Sequence, residues 1–384
     1  MLFVVVKVQS LGSSIQVTLG NKITQITQRS WENNLVRHNT LLTVLVLLIT
    51  MLGGGACTSP SSFSPTSAEP PTASPTSTPS PSPAGDHIRP PAVAGSWYPE
   101  DPALLQEMID GMLAQVTPVD GAPIALIVPH AGYAYSGEVA ATGFRQLENG
   151  TYEVAVIIAS DHQPPLSNPI SVWDAGGFET PLGIVPVDVE LAQELIDADP
   201  HITADPAAHT DEHPIEIELP FLQRTCPHCR LVPVLMGNEK PEVIHALAQA
   251  LLTVLPGRRA VVIASSDLSH YPSYEDARQV DGATLAAIET GDPDTVHTAI
   301  QGLMQSGWPN LVTCACGEAP IRVAMEVARG LGADTITVLR YANSGDTGGD
   351  REQVVGYGAV MFWHYEPPAF TPDQQEALLT LART

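Results

Sequence analysis

Three short apolar runs, 124–128, 154–159 and 260–265, each break off directly into a polar cluster that carries histidine. Five or six aliphatic residues suit a strand buried on both faces and are too few for a helix. Further strand-like runs at 231–235, 335–341 and 355–362 alternate with amphipathic stretches at 102–116, 138–147, 189–198, 241–255, 274–290, 294–304 and 318–330. The first helix has its own start signal, since Asp101 can cap the free N–H groups and Pro102 fits the first turn. Such alternation predicts one α/β domain over 87–366, with a central sheet flanked by helices. Open sheets of this kind collect ligands beyond the carboxyl ends of their strands, so the histidine clusters are expected to meet.

The chain of 384 residues carries 42 acidic against 17 basic side chains, a net charge of −25. That balance argues against nucleic acid as a partner, which needs basic patches, and leaves small molecules, peptides and metals. Arg37 and His38 precede an apolar run at 41–52 that ends in Gly54-Gly55-Ala56-Cys57. The run has the length of a signal-peptide core, and small residues before a cysteine resemble a bacterial lipobox, with Gly54 where a Leu-like residue is usual. Residues 35–57 are therefore predicted to be a lipoprotein signal. Cys57 would carry the lipid, exporting the domain and tethering it to the cell membrane; plain secretion and an uncleaved anchor are the alternatives. Translation is expected to start near Leu35 or Val36, with 1–34 lying before the true start. Residues 58–86, rich in Ser, Pro and Thr, form a predicted disordered tether. The tail 367–384 is expected to hold a short helix at 371–382.

The clusters carry the chemistry. His130 lies in a glycine-rich turn at 129–137, after one apolar run and before a helix. It offers an imidazole suited to a transition metal, or simply packs the turn. His162 follows the second run, and Ser266, Asp267 and His270 follow the third. Between them, 209–221 holds His213 and places Glu212 and Glu216 one turn apart if the segment is helical. Cys314 and Cys316 precede a predicted helix whose N-terminal field would favour a thiolate at Cys316; Cys314 reads as a buried neighbour. Cys226-Pro227-His228-Cys229 has CxxC spacing without a second CxxC, which favours a local disulfide over an inert thiol pair or a metal or redox site.

Several segments are similar to signatures of the Memo family (AmmeMemoRadiSam system protein B): Arg89 to Pro99, PHAGYAYSG at 129–137, EHPIEIELPF at 212–221, SSDLSHY at 265–271, CGEAPI at 316–321 and VGYGAV at 355–360. They stand in family order across nearly the whole folded region. The resemblance implies a fold related to class III extradiol dioxygenases and one metal ion held by His130, His162 and Cys316. It also implies pocket roles for Asp267 and His270, and His213 lies in another of the family's motifs. Iron(II) is the first expectation, then copper or zinc. Asp161 and Gln163 flank His162 where the family often has a Pro-Ser-His run, and Ala159-Ser160 replaces a glycine-containing turn. The dioxygenases use a carboxylate as third ligand, so Cys316 puts ordinary ring cleavage in doubt.

Three functions are consistent with these residues. One is a metal-dependent redox or oxygen-using enzyme in which His270, positioned by Asp267, moves protons near neutral pH, with His213 a further catalytic candidate. Another is a noncatalytic metal- or peptide-binding protein at the cell surface. The third is a hydrolase built on Ser266, Asp267 and His270. The family's association with a radical-SAM protein and an AMMECR-type protein does not transfer readily to an exported copy.

Overall fold

The computed structural model describes residues 87–365 apart from 164, 165, 167 and 238, together with the backbone of three earlier strands. The signal segment 35–57, the tether 58–86 and the tail helix lie outside the described residues. The chain divides into two units, Met1–Thr78 and Pro79–Thr384. In the first, β1 (Val6–Leu11), β2 (Ser14–Leu19) and β3 (Lys22–Thr27) pair antiparallel in sequence order.

The second unit is an α/β domain with a central sheet flanked by helices. Its chain order begins with β4 (Ile88–Arg89), α1 (Pro102–Ala114), β5 (Pro123–Val128), α2 (Tyr133–Phe144) and a 3-10 turn at Arg145–Asn149. It continues through β6 (Val154–Ser160), β7 (Ile170–Val172), β8 (Gly177–Thr180), β9 (Gly183–Pro186), α3 (Val189–Ala198), β10 (Ile202–Ala204) and α4 (Pro206–His209). It ends with α5 (Pro214–Thr225), β11 (Arg230–Met236), α6 (Pro241–Val254), β12 (Ala260–Ser265), α7 (Tyr274–Glu289), α8 (Pro293–Gln305), α9 (Glu318–Gly330), β13 (Thr335–Asn343) and β14 (Gly356–Trp363).

Eight strands form the main sheet in the order β10-β7-β11-β6-β12-β5-β14-β13. The four central strands, β11, β6, β12 and β5, are mutually parallel, and all seven residues of β6 are buried. Helices on both faces explain why these strands are apolar throughout rather than alternating. α1, α2 and α5 pack on one side, and α3, α6, α7, α8 and α9 on the other. The parallel register places Ser265 abreast of both Val128 and Ala159. The residues that follow these three strands consequently leave the sheet at one level, which is what brings the histidine clusters together.

The six expected strands are present. The Asp101 carboxylate caps α1 as expected, accepting from the Ala103 and Leu104 N–H groups at 2.9 Å, a contact worth about 1 kcal/mol. One element differs from expectation, and one whose helicity the spacing leaves open proves helical. α2 starts at Tyr133, five residues before the expected 138, because the glycine-rich run read as a turn is largely helix. The 212–221 segment is helical from Pro214, with Pro220 inside the helix. Among the described residues no helix is long and apolar enough to cross a membrane.

Candidate metal centre

The three parallel strands deliver the site. His130 leaves β5, His162 leaves β6, and His213 sits at the cap position of α5. One ring nitrogen from each lies within 4.8 Å of the other two. The ring centroids are 5.2 Å (His130–His162), 5.6 Å (His130–His213) and 5.0 Å (His162–His213) apart. Cys316 Sγ stands 3.2 Å from His130 Nε2. Among the described residues the triad meeting that mutual 4.8 Å limit is these three histidines, without Cys316. The structure thus places His213, expected in the proton-handling set, among the metal-competent nitrogens, and Cys316 at the edge of the group.

The other nitrogens of two of the rings are occupied. His130 Nδ1 is 2.9 Å from Ser265 Oγ, and His162 Nδ1 is 2.9 Å from the Ser160 carbonyl oxygen. A carbonyl only accepts, so His162 carries its proton on Nδ1 and leaves Nε2 bare. His270 does the same toward the Leu268 carbonyl at 3.0 Å. Burial, then the neighbouring His162, His213 and His270 rings, holds His130 well below the usual histidine range. Burial likewise lowers His162 and His270, and takes His213 down to about 4. Neutral imidazoles packed this closely fit a cation in their midst, and the N/S donor set suits iron, copper or zinc.

Cys316 departs from expectation. Burial, followed by the charge of Asp267, pushes its thiol up rather than down. One residue, Gly317, separates it from α9, and the helix-end field does not offset its surroundings. Gly317 permits this approach, since a Cβ there would lie 2.7 Å from Ser266 Cβ.

Asp267 does not orient His270. Its Oδ1 accepts from the His130 and Ala131 N–H groups at 2.9 and 3.2 Å, so it fixes the His130 turn, and burial raises its carboxyl to about 7. The Ser266 hydroxyl is buried; it donates to the Asp267 carbonyl and accepts from Gly317 N. The structure therefore does not join Ser266 to His270, and the hydrolase arrangement is not assembled. Glu212 and Glu216 also separate in role. Glu212 Oε1 accepts from His162 N at 2.6 Å and Gln163 N at 2.8 Å, holding the His162 loop. Glu216 is fully buried and pairs with Arg89 Nη1 at 2.7 Å.

That pair anchors a strap. Glu216 also accepts from Ala92 N, Val93 N and Tyr98 OH, which binds 89–98 along α5. The strap lays Trp97 on His213, with centroids 4.4 Å apart. At its other side Gly132 lets the strap close in, since a Cβ there would come within 3.3 Å of the Trp97 carbonyl, and that carbonyl accepts from Tyr133 N. The histidines face an open pocket of about 710 Å³ whose wall includes Trp97, Tyr135, Asp267, His270, Tyr271 and Tyr357. The Trp97 contact and the Ser265 bond to His130 are the parts that sequence reasoning missed. Both residues stand in segments already singled out, yet only the fold shows what they touch.

The CxxC pair lies elsewhere. Cys226 and Cys229 form a disulfide between the end of α5 and the start of β11, as favoured from the spacing, and Cys314 is a buried free thiol.

Residues 89–361 match the Memo-like protein family. MEMO1 family proteins of Methanobrevibacter smithii and Aquifex aeolicus are each 36% identical, covering 72% of this chain and 99% of their own length. That of Ignicoccus hospitalis is 37% identical, covering 72% of this chain and 98% of its own. With the strand-end histidine motifs all inside the matched span, and relatives covered almost end to end at more than a third identity, the chain belongs to the Memo family.

Proposed function

We propose that this protein binds one transition-metal ion at the ends of the parallel strands and uses it in redox or oxygen-dependent chemistry on a small organic molecule. The observation that carries the reading is the convergence of His130, His162 and His213 nitrogens at the foot of an open pocket. His130 and His162 would be the constant donors. His213 would complete the geometric group, and Cys316 would join as a thiolate when the metal displaces its proton, as the family resemblance implies. Iron(II) or copper held there would supply one-electron exchange. His270 faces the same pocket with Nε2 free and is placed to accept a proton from a bound molecule. The pocket is wide enough for a compact organic ligand or a single peptide side chain.

Loading metal-free protein with cobalt(II) tests the donor set. The expected result is a stoichiometric visible spectrum with a thiolate charge-transfer band that disappears in Cys316→Ser, while His130→Ala and His162→Ala abolish loading. Absence of any cobalt spectrum would overturn the site. Oxygen consumption by iron-loaded protein over a panel of reducing aromatic and thiol compounds tests the redox reading. Stoichiometric metal with no uptake of oxygen and no redox turnover would favour the noncatalytic alternative, a metal- or peptide-binding protein. We also propose that the domain is exported and lipid-anchored through Cys57, a reading that the Cys226–Cys229 disulfide supports, since such bonds persist in oxidising compartments.

A further inference from the structure

Glu218 is a carboxyl group with no ion-pair partner among the described residues, fully buried one turn into α5. Its Oε1 is 2.7 Å from Ser265 Oγ, and its Oε2 has no hydrogen-bond partner. Burial, then the nearby Asp267, drives the carboxyl well above its usual range. Leucine or methionine would fill this place at lower cost, because an incompletely satisfied buried carboxyl is destabilising. The fold nevertheless keeps it where, among the described residues, its hydrogen bond is to the serine that touches His130.

Ser265 is also fully buried, at the last position of β12. Its hydroxyl meets three groups: Glu218 Oε1 at 2.7 Å, the Pro214 carbonyl oxygen at 3.1 Å and His130 Nδ1 at 2.9 Å. A hydroxyl has one proton to give. When that proton goes to Glu218 Oε1, which accepts whether or not Oε2 carries a proton, or to Pro214, the bond to His130 forms only if His130 Nδ1 is the donor. His130 then has a bare Nε2, the nitrogen that faces Cys316 Sγ at 3.2 Å.

We propose that Glu218, acting through Ser265, is a positioning residue that holds His130 in its Nδ1–H tautomer with Nε2 directed at the metal site. The proposal rests on the metal-binding reading for its purpose, but the tautomer itself is a property of the metal-free chain. It completes a pattern: His162 and His270 are fixed in the same tautomer by backbone carbonyls two residues earlier, whereas His130 has a side-chain relay. Outer partners of this kind typically change metal affinity by about 10- to 100-fold.

The test is nitrogen-15 NMR of the histidine rings in metal-free full-length protein, together with metal affinity by chelator competition. Wild-type His130 is expected as the Nδ1–H tautomer. Ser265→Ala and Glu218→Leu are expected to give a tautomer mixture and a 10- to 100-fold weaker affinity, with Glu218→Leu no less stable to heat than wild type. Glu218→Gln, whose amide oxygen still accepts from Ser265, is expected to retain the wild-type tautomer even if the other variants fold poorly. An Nε2–H tautomer in the wild type would overturn the proposal. So would an unchanged tautomer and affinity in folded Ser265→Ala and Glu218→Leu. If the wild type binds no metal but His130 shows Nδ1–H that is lost in these variants, the metal reading fails and the positioning role stands.

Discussion

At the residue scale, position in the sheet decides which histidines stay neutral and available and which are merely enclosed. His209 opens the segment that also holds His213, yet it is buried away from the pocket, with Nε2 3.1 Å from Ser171 Oγ and no partner on Nδ1. Burial, then the charge of Arg89, lowers it to about 3. A histidine with a depressed folded value refuses a proton that the unfolded chain accepts below about 6.5, so the unfolded state binds more protons in that window. This residue's contribution to stability is complete above pH 6.5 and is lost as pH falls from there toward 3, at up to about 1.4 kcal/mol per pH unit. His209→Gln is expected to flatten that slope in urea unfolding at pH 7, 6, 5 and 4; equal slopes in the two proteins would contradict the assignment. Among the described residues Arg89 and Glu216 form the most enclosed ion pair, with 1% and 0% of their side chains exposed. Arg89→Met strands the carboxylate and is expected to cost about 3–5 kcal/mol in the same assay.

The strap 89–98, α5 and the ends of β5, β6 and β12 are the elements that build the site, and each is tied to the next by a named contact. Glu216 holds the strap, Glu212 holds the His162 loop, and Asp267 holds the His130 turn. Carboxylates that the sequence offers as candidate ligands or proton carriers are spent on backbone N–H groups, which spacing alone does not reveal. Helix and strand placement was legible because apolar runs and a cap signal are local properties; α2 and α5 were harder because glycine and proline concealed helical segments. The disulfide closes a short loop at the end of the sheet opposite the histidines. Reducing it, or replacing Cys226 and Cys229 by serine, is expected to cost about 2 kcal/mol of stability while leaving metal content unchanged. A loss of bound metal in that double variant would show that the bridge supports the site directly.

For the whole molecule, fold class and family were readable because the matching motifs stand in one order along the chain and two of them, 129–137 and 265–271, follow the ends of β5 and β12, where an α/β sheet brings separate segments together. The three-histidine grouping was less so. His213 reaches the site from the start of α5 rather than from a strand end, and only the packing of α5 against β6 and β12 brings it there. Attachment is a property of the full chain: Cys57→Ser is expected to move the protein from the membrane fraction to the soluble fraction of expressing cells, and an unchanged distribution would contradict lipid anchoring.

The most direct test of the central claim is metal analysis of the full-length protein, purified anaerobically without an affinity tag, beside His130→Ala, His162→Ala, His213→Ala and Cys316→Ser. The account predicts close to one iron or copper per chain in the wild type, lost in His130→Ala and His162→Ala and reduced in the other two. A wild-type protein that carries no metal and takes up none of added iron, copper or zinc would contradict it.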